Sequence, residues 1–248
     1  MEHEAWIRGG TGEARARLPR WANPREVFPG GFREIAHVLV ETGTQPIRQT
    51  GPQCGIVALA MGYNAMTGMN DDRDHSPRIL KNAIDMGFTK QGEMFEAYNM
   101  ARLARASFDR IHAMCVPAPR QHELIMHINH GGVVLFPYDA DRDHRPAQRN
   151  GASAHWCLIN GYFCGRYRST ENSKACDWVG EGKLHVSVWQ GKSGHQARFS
   201  YADLIESNRQ LVGSAPSLKN DRHRLPDGDD LSGLRSLAVM LYPHEHGY

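Results

Sequence analysis

Gln49-Thr50-Gly51-Pro52-Gln53-Cys54-Gly55, continued by IVALAMGYNAM over 56–66, is the stretch on which the reading of this chain turns. A turn built on Gly51 and Pro52 delivers a cysteine to the start of an apolar run. Val57, Ala58, Met61, Ala65 and Met66 recur at helical spacing, which predicts a buried helix with Cys54 in its first turn. The first turn of a helix carries unpaired N–H groups and the positive end of the macrodipole. A thiolate is stabilised there, so the expectation is a lowered thiol pKa and a nucleophile near neutral pH. Most lone cysteines are small buried hydrophobes instead, so a functional Cys54 needs partners elsewhere in the chain.

Working outward, REIAHVLV (33–40) is a short apolar segment, and residues 1–30 are rich in Gly, Arg and Pro with little periodicity. They read as a mobile N-terminal arm, with one domain over 31–248. ILKNAIDMGF (79–88) and GEMFEAYNMARLARA (92–106) read as amphipathic helices. The pattern then changes to strands: GGVVLFPY (131–138), HWCLINGYF (155–163), KLHVSVWQ (183–190) and RSLAVMLY (235–242). Residues 164–182 form a polar excursion, and SYADLIESNRQ (200–210) is a short helix. Helices first and an antiparallel sheet after them argue an α+β fold.

Composition narrows the function. The 248 residues carry 29 Lys+Arg against 27 Asp+Glu, a net charge of +2. That balance gives no electrostatic reason for nucleic acid or an anionic membrane as partner. The N-terminus has no apolar signal region, and no window nears 18 consecutive apolar residues, so no membrane span is expected. Five cysteines is an odd count, which speaks against a disulfide framework and for a reducing, cytoplasmic setting.

A thiolate nucleophile needs a base, and the base needs an orienting group. Among 14 histidines, His155 is the candidate base, because it stands at the head of a strand in Ala154-His155-Trp156. Gln190, at the end of the following strand, is the candidate third residue. Asn160 lies five residues along the strand from His155, roughly 16 Å away, which is too far. An acyl-transfer site also needs oxyanion donors; the Cys54 N–H and the Gln49 side-chain amide are the candidates.

QTGPQCGIVALAM, PYDADRDH, AHWCLINGYF and QGKSGHQARFSYADLIESNRQL occur in that order. Together they resemble the actin maturation protease family, which is papain-like and distantly similar to the double-glycine leader peptidases. The resemblance implies a papain-like cysteine peptidase fold, with the nucleophile helix packed on an antiparallel sheet. It implies removal of the N-acetylated first residue, Met or Cys, from immature actin, whose next residue is acidic. Cys54 takes the nucleophile's position, His155 the base's, and Gln49 a weaker oxyanion position. Where leader peptidases place Asp before Pro, this chain has Gln190-Gly191, and a glutamine orients an imidazole without stabilising its cation by charge.

A cleft for an acidic, blocked N-terminus is expected to be basic on one side. Arg48, Lys192, His195 and Arg209 are the basic residues near the motifs, and Asp139 and Asp141 follow a strand in PYDADRDH. Arg48, Asp139 and Lys192 are the candidate substrate-binding residues, although an aspartate at a strand end is usually structural. No cofactor is implied. His122, His127 and His130, and Cys157, Cys164 and Cys176, are the candidate zinc ligands, but neither set has compact ligand spacing. Two rivals use the same fold: a papain-like hydrolase acting on another protein, and a catalytically silent actin-binding module.

Overall fold

The computed structural model describes residues 4–7, 14–17, 35–67, 74–167, 184–213, 223–225 and 230–243. The run after Cys54 is a helix, α1 (Cys54–Thr67), with ten of its fourteen residues buried. A helix apolar on nearly every side must be enclosed on every side. One side meets the sheet, where Gly62 lets the backbone come close. A Cβ at Gly62 would lie 3.1 Å from Leu241 and 3.3 Å from Leu158. The other sides meet α2 (Ser76–Asp85) and α3 (Ala97–Ser107) through Ile79, Met100 and Leu103. Each such fully buried large side chain contributes about 1.5–3 kcal/mol.

Among the described residues the main sheet has seven strands, all antiparallel. In spatial order they are β4 (Ile111–Pro117), β9 (Leu237–Pro243), β5 (Val133–Asp139), β6 (Ala154–Tyr167), β7 (His185–Trp189) and β8 (Ala197–Ser200). The far half of β6 also pairs with β3 (Ile35–Glu41). Every residue of β5 is buried, which explains the unbroken apolar run GGVVLFPY: both faces are covered. Val133, Leu135, Trp156 and Leu158 face the α1 side. Val134, Phe136, Tyr138 and Cys157 face a second core under α4 (Gln121–Asn129) and α5 (Tyr201–Arg209).

The expected α+β class and the packing of the Cys54 helix on an antiparallel sheet are both found. Four details differ from the sequence reading. The helix expected over 92–106 begins only at Ala97, because Glu93 turns back to accept N–H groups from Lys90 and Gln91. The strands β4 and β8 and the helix α4 lie outside the elements expected from the sequence. The strand expected to end at 163 runs on to Tyr167, held by β3. Within the expected arm, Glu4–Ile7 (β1) pairs with Ala14–Arg17 (β2). The rest of residues 1–30, and the excursion beyond Tyr167 as far as 183, lie outside the described residues.

Candidate active site

The loop before α1 is tied to the strand end opposite it. Gln49 N–H donates to the Gly191 carbonyl at 2.8 Å. A side chain at Gly191 would meet Gln49, with Cβ and Oε1 both 2.9 Å away. A glycine therefore follows Gln190 because Gln49 occupies the space. This contact brings residues 49–54, the head of β6 and the turn after β7 around one cavity of about 210 Å³. Its polar lining includes Gln49, Cys54, Glu93, His155 and Lys192; Met94, Phe95, Trp156 and Leu234 supply apolar wall.

Cys54 is the first residue of α1. The residue is half-buried, and burial pushes the thiol above its ordinary value. A hydrogen bond from the Trp156 backbone, the Lys192 charge, and the Gly55 and Cys54 N–H groups pull the other way without overcoming it. The expected lowering of the thiol is thus overturned. The helix start acts as anticipated, but burial is the larger effect.

His155 sits at the head of β6, opposite Tyr138 of β5 in register, and is 4% exposed. Burial first, then the Lys192 and His144 charges, push its imidazole down to about 3. At neutral pH both partners are therefore uncharged, a thiol and an imidazole. The Trp156 backbone next to His155 contacts the Cys54 sulfur. Trp156 itself is locked, its indole N–H donating to the Met94 carbonyl at 2.7 Å. The His155 Nε2 atom is buried with no hydrogen-bond partner. Of the two ring nitrogens, Nδ1 is therefore the one available to the cavity.

Gln190 is buried just beyond β7, but its Oε1 accepts from the Tyr138 hydroxyl at 3.2 Å and not from the His155 ring, so the bond expected of a third residue is not made. Asn160 is engaged elsewhere, with its Nδ2 donating to the Thr42 carbonyl and its Oδ1 accepting from Gln196. Gln49 donates one Nε2 hydrogen to the Gly51 carbonyl at 2.7 Å, which leaves the second for an oxyanion. A site with a thiol, a base, and N–H donors from Cys54 and Gln49 can carry acyl transfer.

The other basic candidates divide. Lys192 is exposed and lines the cavity. Arg48 is exposed outside the cavity lining, with its guanidinium against Gly194, 3.7 Å from where a Cβ would stand. His195 is exposed, and its N–H donates to Ser193 Oγ. Arg209 pairs with Glu206 on the surface of α5.

Asp139 is not placed to bind substrate. It is 0% exposed. Its carboxylate accepts the N–H groups of Arg149, Gly151 and Ser153 at 2.8–2.9 Å, together with the Gln210 side chain at 3.3 Å. It fastens the 145–153 loop that leads into His155, a positioning task.

The histidines of the zinc rival are engaged separately, and of its cysteines the Cys164 side chain and Cys176 lie outside the described residues. His122 is exposed, His127 binds the Val133 carbonyl at 3.0 Å, and His130 binds Met126 at 2.7 Å. Among the described residues, no group of three or more His, Cys, Asp or Glu side chains is placed to hold a metal.

Sequence reasoning missed Glu93, His144 and Tyr138. Burial raises the Glu93 carboxyl, but the Lys90 N–H, Thr89 hydroxyl and Arg224 N–H outweigh it and hold it below its ordinary value. His144, in the left-handed region at φ 63°, stacks on His155 with ring centroids 6.3 Å apart. His144 closes the PYDADRDH block and Tyr138 opens it one residue in, so the block flagged them without saying what they touch.

An apolar helix opening on a cysteine, set across a cavity from a histidine at the head of an antiparallel strand, is the architecture of the papain-like class. Residues 44–163, which contain both Cys54 and His155, match the family model described as "Actin maturation protease-like, C-terminal domain". The mouse actin maturation protease is 29% identical over 228 residues, covering 79% of this chain and 62% of the relative. The human one is 30% identical over 224 residues, covering 79% and 63%. The Xenopus tropicalis one is 29% identical over 231 residues, covering 86% and 76%. The chain thus spans less than two thirds of the mouse and human relatives' length. A crystal structure of a C39-like peptidase from Bacillus anthracis superposes with a TM-score of 0.49 at 10% identity, covering 82% of this chain and 97% of that one.

Proposed function

We propose that the chain is a cysteine-type aminopeptidase that removes the N-acetylated first residue, Met or Cys, of immature actin. The observation that carries this reading is the shared cavity of Cys54 and His155, within a segment that matches the actin maturation protease-like family model. In the proposed reaction the Cys54 Sγ attacks the carbonyl carbon of the first residue while its proton passes to His155. The Cys54 N–H and the Gln49 amide receive the oxyanion. Collapse breaks the C–N bond, His155 returns the proton to the leaving amine, and actin departs with a new N-terminus. Water, deprotonated by His155, then cleaves the thioester and releases the N-acetyl amino acid.

The protonation states shape the step. A neutral thiol beside a neutral imidazole means the proton moves during attack, as general base catalysis, rather than beforehand as a standing ion pair. Gln190 suits such a step, since it carries no charge that would favour a standing imidazolium. Lys192 is the proposed contact for the acidic residue that follows the cleaved bond, with Arg48 a second cation further out. The substrate's blocked N-terminus offers no amine, so no metal or free carboxylate is required to hold one. The proposed setting is cytoplasmic. Among the described residues no helix is long and apolar enough to cross a membrane, and actin is the proposed partner rather than nucleic acid.

The test is incubation of the chain, and of Cys54→Ala, with unprocessed actin, followed by mass measurement of actin's N-terminal peptide. The expected result is loss of the first acetylated residue with the intact chain only. If neither protein removes it, the proposed activity is wrong.

A further inference from the structure

The lining of the Cys54 cavity falls into two groups held by different parts of the fold. Gln49 and Lys192 form a polar group, tied together by the Gln49 N–H on the Gly191 carbonyl. Met94, Phe95, Trp156 and Leu234 form an apolar group. The reaction uses the polar group and leaves the apolar one unassigned.

The apolar group is built and fixed beside the nucleophile. A Cβ at Gly55 would stand 3.1 Å from the Trp156 ring and 3.3 Å from Met94, so this wall begins one residue after Cys54. The Trp156 indole is bolted to the Met94 carbonyl. The turn carrying Leu234 lies directly on the start of α3: the Ala97 N–H donates to the Gly233 carbonyl at 2.8 Å, and a Cβ at Gly233 would stand 3.0 Å from the Phe95 carbonyl oxygen. Met94, Trp156 and Leu234 are buried, and Phe95 is half-buried. Buried apolar walls around a cavity, with a few polar groups at its edge, suit an apolar side chain. The cavity volume of about 210 Å³ equals on the order of seven waters at about 30 Å³ each, space for one acylated residue.

The carboxylate in the lining is not free to hold an ammonium group. Glu93 Oε1 accepts the N–H groups of Lys90 and Arg224, and Oε2 accepts that of Gln91. Lys192, the cation in the lining, would repel an amine. An unblocked N-terminus entering here would be buried without a counter-charge, which is costly. An acetylated one carries no charge to strip of water.

We propose that Met94, Phe95, Trp156 and Leu234 form the pocket for the side chain of the substrate's first residue, and that this pocket selects an apolar residue whose amine is blocked. The inference rests on the reading of Cys54 as the nucleophile of an N-terminal peptidase. With the acyl carbon on Cys54, the first side chain enters the apolar group, and the acidic residue after the bond lies over Gln49 and Lys192.

The experiment uses the full chain with Leu234→Phe, which narrows the pocket, and Phe95→Ala, which widens it. The first readout is protection of Cys54 from iodoacetamide by N-acetylmethioninamide, N-acetylalaninamide and methioninamide, each relative to the same protein's unprotected rate. On the intact chain N-acetylmethioninamide is expected to protect at roughly tenfold lower concentration than either of the others. That series needs no variant, so it decides the proposal even where Leu234→Phe fails to fold. The second readout is kcat/KM for N-acetylated peptides beginning Met-Asp and Ala-Asp. The intact chain is expected to prefer Met by roughly tenfold, and each pocket variant to bring that preference within about threefold of unity. Lys192→Glu should slow both peptides alike and keep the preference. Equal protection by the three amides, or by none, overturns the proposal. So does a Met preference that both pocket variants leave unchanged, or that Lys192→Glu abolishes. If N-acetylmethioninamide protects as expected while neither peptide is cut, the peptidase reading fails and the pocket stands. If the peptides are cut while the amides protect equally, the pocket fails and the peptidase reading stands.

Discussion

Replacing Asp139 with asparagine removes charge and one acceptor while keeping shape. The Asp139 Oδ2 accepts Arg149 and Gly151 N–H groups at 2.8 and 2.9 Å and the Gln210 side chain at 3.3 Å; Oδ1 accepts Ser153 N–H at 2.8 Å. The asparagine settles with its oxygen on the busier side, so the Ser153 bond is lost and two N–H donors face each other. Loss of one charged hydrogen bond costs roughly 1.5–3 kcal/mol. The remaining bonds become neutral and weaken to about half their strength. The sum is about 3–5 kcal/mol. At about 2–4 °C per kcal/mol for a domain of this size, Tm falls by roughly 6–20 °C. Thermal unfolding followed by circular dichroism measures it, and kcat and KM are taken at a temperature where the variant is folded. A loop that positions His155 predicts a lower kcat with KM within about twofold of the intact chain. A Tm within about 2 °C of the intact chain, together with a raised KM for acidic substrates, would refute the structural role.

Four further outcomes are expected. The Cys54 thiol is raised and His155 is held down to about 3. Alkylation of Cys54 should therefore climb about tenfold per pH unit between pH 6 and 8, following the thiolate fraction, whereas a pH-independent plateau would reveal a standing ion pair. By the same linkage His155 regains its ordinary value of 6.5 on unfolding, so its contribution to stability is lost as pH falls from 6.5 toward 3, measurable as a falling Tm. Lys192→Glu should lower kcat/KM for an acidic peptide by roughly tenfold, mostly through KM, and the deficit should shrink at high salt. Gly191→Ala should push Gln49 out of place, since a Cβ there meets Gln49 at 2.9 Å; kcat should fall while Cys54 alkylation in the empty site changes little.

What was legible in the sequence is what local spacing controls. The turn at Gly51-Pro52, the apolar period after it and the strand head at His155 each declare themselves within a dozen residues, and they point to the helix, the strand and the two candidate reacting groups. What was illegible depends on groups that meet only across the fold. The sign of the Cys54 shift follows from burial, which a helix-start argument does not contain. Asp139 looked like a cleft residue until its loop closed over it from Arg149 to Ser153. Tyr138 read as the end of an apolar run, and only the β5–β6 register sets it opposite His155. Glu93 fell inside an amphipathic pattern, and its capture of backbone N–H groups shortened the helix at its start.

The central claim is that Cys54 carries the acyl group. The chain is mixed with an N-acetylated actin N-terminal peptide, quenched in acid within the first turnover, and its intact mass measured with peptide mapping. The account predicts a transient adduct of the N-acetylated first residue on the Cys54 peptide, absent from Cys54→Ala. Cleavage that proceeds with no such adduct and persists in Cys54→Ala would contradict it.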